Sequence, residues 1–148
     1  MKQSYVLDTG VLLNLVRGRE LGKRIDRAFG LSQALQFHTI SIVTHGELKV
    51  LAERHDWGAE KRNALAVALE NLVTVNIESE ALIQAYVKVD RACRGIVGGS
   101  RTIGQNDMWI ASTALLSNLP LISTDRDFLH LHERLITVHW VDPSEADV

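Results

Sequence analysis

Short runs rich in β-branched and apolar residues alternate along this chain with longer stretches of helical spacing, and that alternation restricts the fold more than any other feature. The runs SYVLD (4–8), HTISI (38–42), LVTVNI (72–77), LPLIS (119–123) and LITVHWV (135–141) read as strands. Between them, apolar residues recur at three- and four-residue spacing over 21–29, 43–55, 59–71, 79–96 and 106–117, which predicts helices. A further short helix follows the first strand, where TGVLLNLVRG carries apolar residues at 11, 12, 13, 15 and 16 and a terminating glycine at 18. The order predicts an α/β fold, a mostly parallel five-stranded sheet flanked by helices. A chain of 148 residues, 46% of them hydrophobic, is the size of one domain, taken as 1–148. No internal repeat or linker interrupts it, since Gly/Ser enrichment is confined to GGS at 98–100. The helical stretches at 11–37 and 43–71 leave apolar faces that predict a homodimer or partner surface.

Several function classes drop out on composition. The single cysteine, Cys93, rules out an internal disulfide framework and a cysteine-built zinc site, and suits a reducing cytoplasm. The N-terminal residues show no long apolar stretch before a cleavage site, and no run is long enough to cross a bilayer, so a soluble protein without membrane contact is expected. A net charge of −2 gives no global attraction to nucleic acid, so any such binding must come from a local patch.

The letters LDTG at 7–10 match the motif around the catalytic acid of retroviral-type aspartic proteases. That chemistry needs a strand-rich surround in which two aspartates share one proton. Here Asp8 stands between a short strand and a helix instead, the geometry of a ligand crevice beyond the carboxyl end of an open α/β sheet. Asp125, in STDRDF, follows the PLIS strand; Glu47 falls in the first turn of the helix after TISIV; Asp107 falls in the first turn of the helix NDMWIASTALL. Four carboxylates at one sheet edge repel each other unless a cation neutralises them. Hard oxygen ligands, with neither cysteine nor histidine at ligand spacing beside them, point to Mg²⁺ or Mn²⁺ rather than zinc.

Each acid also has a plainer reading. Glu47 completes Thr-x-x-Glu in THGE, a capping box. Asp107 suits the helix dipole and Asp125 suits turn chemistry beside Arg126. For Asp8 the plainer reading is weaker, since no cap or turn duty is obvious for an acid that ends a buried apolar strand. Asp127 reads as the N-cap of the short FLHL segment rather than as a fifth ligand.

On these residues the chain resembles PIN-domain ribonucleases, and among them the VapC toxins of bacterial type II toxin–antitoxin pairs. The likeness rests on YVLDTGVLLNLV, TISIVTHGELKV, IGQNDMWIASTALLSNLPLISTDRDF and LITVHWV, and spans nearly the whole chain. It implies that Asp8, Glu47, Asp107 and Asp125 are the catalytic, metal-holding acids, supported by Thr9 and Ser123. It also implies an endoribonuclease that hydrolyses RNA with Mg²⁺ or Mn²⁺, leaving a 5′-phosphate and a 3′-hydroxyl, and a small antitoxin protein as partner. The family commonly has Asn or Ser at position 10, where this chain has Gly10; the difference produces the protease-like LDTG and removes one polar group near the metal.

RNA must then be held against an acidic pocket. Arg17, Arg19, Lys23, Arg24 and Arg27 form one basic cluster, and Lys88, Arg91, Arg94 and Arg101 another, each flanking a proposed ligand. The bland alternative is a solvated helix face with pairs such as Lys23 with Asp26. Backbone amides in GGSR are a further phosphate contact. Trp109 reads as core more readily than as a base-stacking ring, and His130 and His132, without a third ligand, read as structural. The competing function is a catalytically impaired PIN-like binding or regulatory module. A dehalogenase-type phosphatase fails on Gly10, where it needs a second aspartate, and a receiver domain fails on LITVHWV, which lacks its lysine.

Overall fold

The structure, a computed structural model, describes residues 2–95 and 103–144. Its elements run β1 (Val6–Leu7), α1 (Thr9–Arg17), α2 (Glu20–Phe29), a 3₁₀ turn (Ser32–Phe37), β2 (Thr39–Ser41), α3 (Ile42–Arg54), α4 (Ala59–Asn71), β3 (Val73–Val75), α5 (Glu80–Arg94), α6 (Gln105–Ser117), β4 (Leu121–Ser123), a second 3₁₀ turn (Arg126–Leu131) and β5 (Val138–Trp140). The strands form one sheet in the order β3-β2-β1-β4-β5. Every pairing is parallel, so the mostly parallel sheet expected from the sequence is parallel throughout the described residues.

Each expected strand is present but shorter than its apolar run, and after β1 and β2 a side-chain cap starts the next helix at once. Asp8 accepts a hydrogen bond from the Thr9 amide and starts α1 directly after Leu7. Ser41 does the same for α3 through the Val43 amide. Gly18 closes α1 at φ 65°, a left-handed cap that glycine adopts without strain.

In β1 and β4, Val6 pairs with Leu121 and Leu7 with Ile122. Val6 and Leu121 face a core built with α5 and α6 around Ile110, Phe128 and Leu131. Leu7 and Ile122 face the opposite core, with Leu12, Ile25, Leu48 and Trp57 from α1 to α4. All four are fully buried, as strands covered on both faces require. The chain winds outward from β1 to β3 on one side and returns on the other as β4 and β5. The switch in direction therefore falls between β1 and β4, where such sheets open a crevice beyond the strand ends.

Among the described residues no helix is long and apolar enough to cross a membrane.

Candidate metal centre

Two acids stand directly across that crevice. Asp8 leaves β1 and Asp125 leaves β4, and one side chain joins them. Ser123 Oγ, fully buried, donates to Asp8 Oδ2 at 2.6 Å and accepts the Asp125 amide at 2.9 Å. With Thr9 N donating to Oδ1 at 2.8 Å, both oxygens of Asp8 have a partner and each keeps a lone pair for something else. Asp125 is itself the N-cap of the second 3₁₀ turn, accepting from the Asp127 amide at 2.8 Å. Asp127 is therefore not the cap of the FLHL segment; the turn begins at Arg126, and Asp125 takes the capping duty.

Glu47 reaches the centre from α3 by a route the sequence disguised. The helix starts at Ile42 with Ser41 as its cap, so Thr44 lies inside it and THGE is not a capping box, nor is Glu47 in the first turn. Thr44 and Glu47 sit three residues apart on one helix face and both meet Thr9. Thr9 Oγ1 donates to Glu47 Oε1 at 2.8 Å, and Thr44 Oγ1 lies 3.0 Å from Thr9 Oγ1. Thr9 has one hydroxyl hydrogen, already given to Glu47, so Thr44 is the donor in that second bond. Thr44, fully buried, is a supporting residue that sequence reasoning missed; its spacing from Glu47 was the available signal.

Asp107 enters from the first turn of α6, and no hydrogen bond within the described residues reaches its carboxylate. Burial pushes its pKa up to about 7, helped by the charges of Asp8, Asp125, Glu47 and Asp127. Asp8 is raised to about 6, chiefly by burial; its Ser123 and Thr9 bonds resist the rise, and Asp125 and Glu47 add to it. The sequence-predicted acids are thus close enough to act on one another, and Asp127 joins their rim. Among the described residues no three of them are drawn tightly enough to cage an ion unaided. The donor set still fits a hard divalent cation. It consists of oxygen alone, its charges repel, two of its members have raised pKa values that a nearby positive charge would lower, and such cations keep several water ligands of their own.

The remaining candidates are more scattered. Arg17, Arg19, Lys88 and Arg91 are exposed. Lys23 pairs with Glu20 at 3.6 Å rather than with Asp26, whose carboxylate instead holds Ser32. Arg94 pairs with Asp90 at 2.8 Å, and Arg24 donates to the Asp142 carbonyl. Arg101 and the GGSR amides lie outside the described residues, whereas Arg27 is exposed on α2. Lys61 of α4, which no local pattern marked, joins Arg17 and Arg19: burial and then those two charges lower its pKa. Trp109 is half-buried, packed on Tyr86 with ring centroids 4.3 Å apart. His130 Nε2 contacts Cys93 Sγ at 3.3 Å and His132 Nδ1 accepts from the Val138 amide, both structural duties.

Residues 5–133 match the model of the PIN domain. The chain belongs to the PIN-domain family. This PIN domain is similar to a toxin–antitoxin complex from Klebsiella pneumoniae, with 26% identity over 96% of this chain and 99% of that one and a TM-score of 0.67. VapBC2 from Rickettsia felis, bound to a DNA fragment from their promoter, matches at 18% identity over 93% and 98% of the two chains, TM-score 0.68. VapBC-1 from nontypeable Haemophilus influenzae matches at 24% over 93% and 98%, TM-score 0.66. At those identities the last two speak for the PIN fold alone. Comparison with curated proteins gives no match.

Proposed function

We propose that this PIN domain is a metal-dependent endoribonuclease and the toxin of a type II toxin–antitoxin pair. The observation that carries the reading is the set of carboxylates at the switch between β1 and β4, whose charges converge on Asp107. The similarity to a toxin–antitoxin complex supports the partner, a small antitoxin protein. Asp8, Glu47, Asp107 and Asp125 are the residues that would hold Mg²⁺ or Mn²⁺. A divalent cation held there supplies positive charge against the phosphodiester and activates water for in-line attack.

The chain's own residues prepare that chemistry. Ser123 fixes the Asp8 carboxylate and the loop bearing Asp125 in one geometry, and Thr9, backed by Thr44, aims Glu47 at the same point. The N-terminal ends of α1 and α6 face the acids and ease their ionisation. Arg17, Arg19 and Lys61 supply a basic surface for the phosphate backbone, and Arg24, Arg27, Lys88, Arg91, Arg94 and Arg101 remain candidates for it. A second copy of this chain is the other proposed partner, with exposed Val50 and Val67 on α3 and α4 as apolar contact points; light scattering that returns a monomer mass removes it.

The test is cleavage of a total RNA pool by the purified chain with Mg²⁺ or Mn²⁺, beside a chelator control and the Asp8→Asn and Asp107→Asn variants. The expected result is metal-dependent cutting that both variants lose. An intact pool with folded, metal-supplied protein would sink the reading and favour a binding module.

A further inference from the structure

Beside Asp125 the surface opens into a hollow of about 540 Å³, lined by Thr124, Asp125, Arg126, Trp140, Asp142 and Ser144. Trp140 ends β5 and is only partly buried. Its Nε1–H donates to the Thr124 carbonyl at 3.2 Å, which fixes the indole edge to the loop that carries Asp125. The ring therefore borders the hollow with its polar atom already satisfied. Arg126 holds its guanidinium 5.2 Å from the Trp140 ring centroid, and among the described residues it makes no ion pair. At the far side, Ser144 donates twice to Asp142 Oδ1, by its amide at 2.9 Å and its hydroxyl at 2.7 Å. Asp142 Oδ2 has no hydrogen bond within the described residues.

A partly exposed indole, a planar cation over its ring and a carboxylate that can only accept hydrogen bonds form the equipment of a nucleobase site. Unpaired bases stack on aromatic rings and guanidinium planes, whereas bases in a duplex have no free face to offer. We propose that this hollow takes one unpaired nucleobase, next to the phosphate that lies at the acids. The proposal rests on the ribonuclease reading for its ligand. It adds which surface recognises the strand, and a preference: Asp142 favours bases with an exocyclic amino group over uracil, whose one edge donor, the ring N3–H, lies between two carbonyl oxygens that repel a carboxylate.

The test measures fluorescence anisotropy of labelled single-stranded hexanucleotides (all-adenine, all-cytosine, all-uracil and a fully abasic strand) on the whole chain. Ca²⁺ replaces Mg²⁺, and strand integrity is read on a gel. The parent chain is expected to bind all-adenine about tenfold more tightly than the abasic strand, as loss of one stacked base implies. Trp140→Ala should erase that preference and Trp140→Phe should keep most of it, because phenylalanine retains the stacking face and loses only the N–H. Asp142→Asn should bring all-uracil up towards all-adenine. The proposal is overturned if Trp140→Ala keeps the preference, if Trp140→Phe fails as badly as alanine (a loop-anchoring role only), or if the parent binds no strand. Cutting of the RNA pool is scored separately. A chain that binds through Trp140 but never cuts would remove the ribonuclease reading and leave the base site, while one that cuts with Trp140→Ala as fast and at the same sites would do the reverse.

Discussion

Asp107 carries a cost to the folded chain. Among the described residues its carboxyl has no hydrogen bond, and it is pushed up to about 7 by burial and by Asp8 and the other acids. Without metal at pH 8 it ionises into a field of like charge. Asp107→Asn removes that repulsion at constant shape and should stabilise the metal-free chain by on the order of 2 kcal/mol once solvent screening is allowed for, and so raise its thermal midpoint. The same variant should abolish metal-dependent cutting. A scan at pH 8 with chelator checks the first effect, and an unchanged or lower midpoint would refute it. Gly10 carries the second prediction. A Cβ there would stand 2.9 Å from Thr124 Oγ1, so the room that a side chain at position 10 needs is already filled by Thr124. Gly10→Asn should therefore weaken the fold by about 1–3 kcal/mol, and adding Thr124→Ala should recover most of the loss. Additive losses in urea unfolding would show that the two positions are uncoupled. Asp8, Asp107 and Asp125 were legible in the sequence because each follows a strand or opens a helix, whereas Glu47 was picked out beside them although it lies in the second turn of α3. Of their supports, Thr9 and Ser123 stood out with the acids but Thr44 did not: Ser41 and Thr44 are both good caps three residues apart, and only the pairing of Ser41 with Val75 in the sheet decides between them.

At the level of elements, the junction between β4 and the second 3₁₀ turn governs the site. Ser123 is the last residue of β4 and its one hydroxyl serves both Asp8 and the Asp125 amide. Ser123→Ala leaves a buried carboxylate oxygen and an amide short of a partner, which should lower stability by about 1–3 kcal/mol. It should also slow cutting at limiting metal more than at saturating metal, because Asp8 loses a bond that favours its charged form. Equal slowing at both metal levels would argue against this coupling. The strands and helices themselves were readable, since the apolar runs and the helical periods are separated by clear breaks. The two 3₁₀ turns were not, because Ser32–Phe37 and Arg126–Leu131 are too short for a period to emerge. Asp125 looked like a turn residue and Asp127 like a cap for the same reason: within DRD either acid satisfies local chemistry, and the register follows from where Ser123 ends its ladder with Trp140.

For the molecule as a whole, opposed titrations set the response to pH. His38, almost fully buried at the start of β2, accepts the Tyr5 amide on Nδ1 at 3.2 Å and stacks on the Tyr5 ring. Burial lowers its pKa below 6.5. Above pH 6.5 it is neutral folded or unfolded and contributes nothing to the pH dependence. As pH falls through 6.5 the unfolded chain takes the proton first, so stability drops. Asp8 and Asp107 work the other way without metal: their folded values of about 6 and about 7 exceed the unfolded 3.8, so the folded state holds more protons and gains stability as pH falls from neutrality. The metal-free chain should therefore gain stability as pH falls from 7.5 to 6.5 and gain less steeply from 6.5 to 5.5, where His38 opposes the acids. Under the metal reading a bound cation holds both acids ionised, removes their acid-side gain and must itself compete with protons. With saturating Mg²⁺ the midpoint should fall clearly over the same interval, and His38→Asn, which keeps an acceptor for the Tyr5 amide, should remove part of that fall. Parallel profiles with and without Mg²⁺ would mean that the acids do not hold the ion, whatever the RNA assay returns.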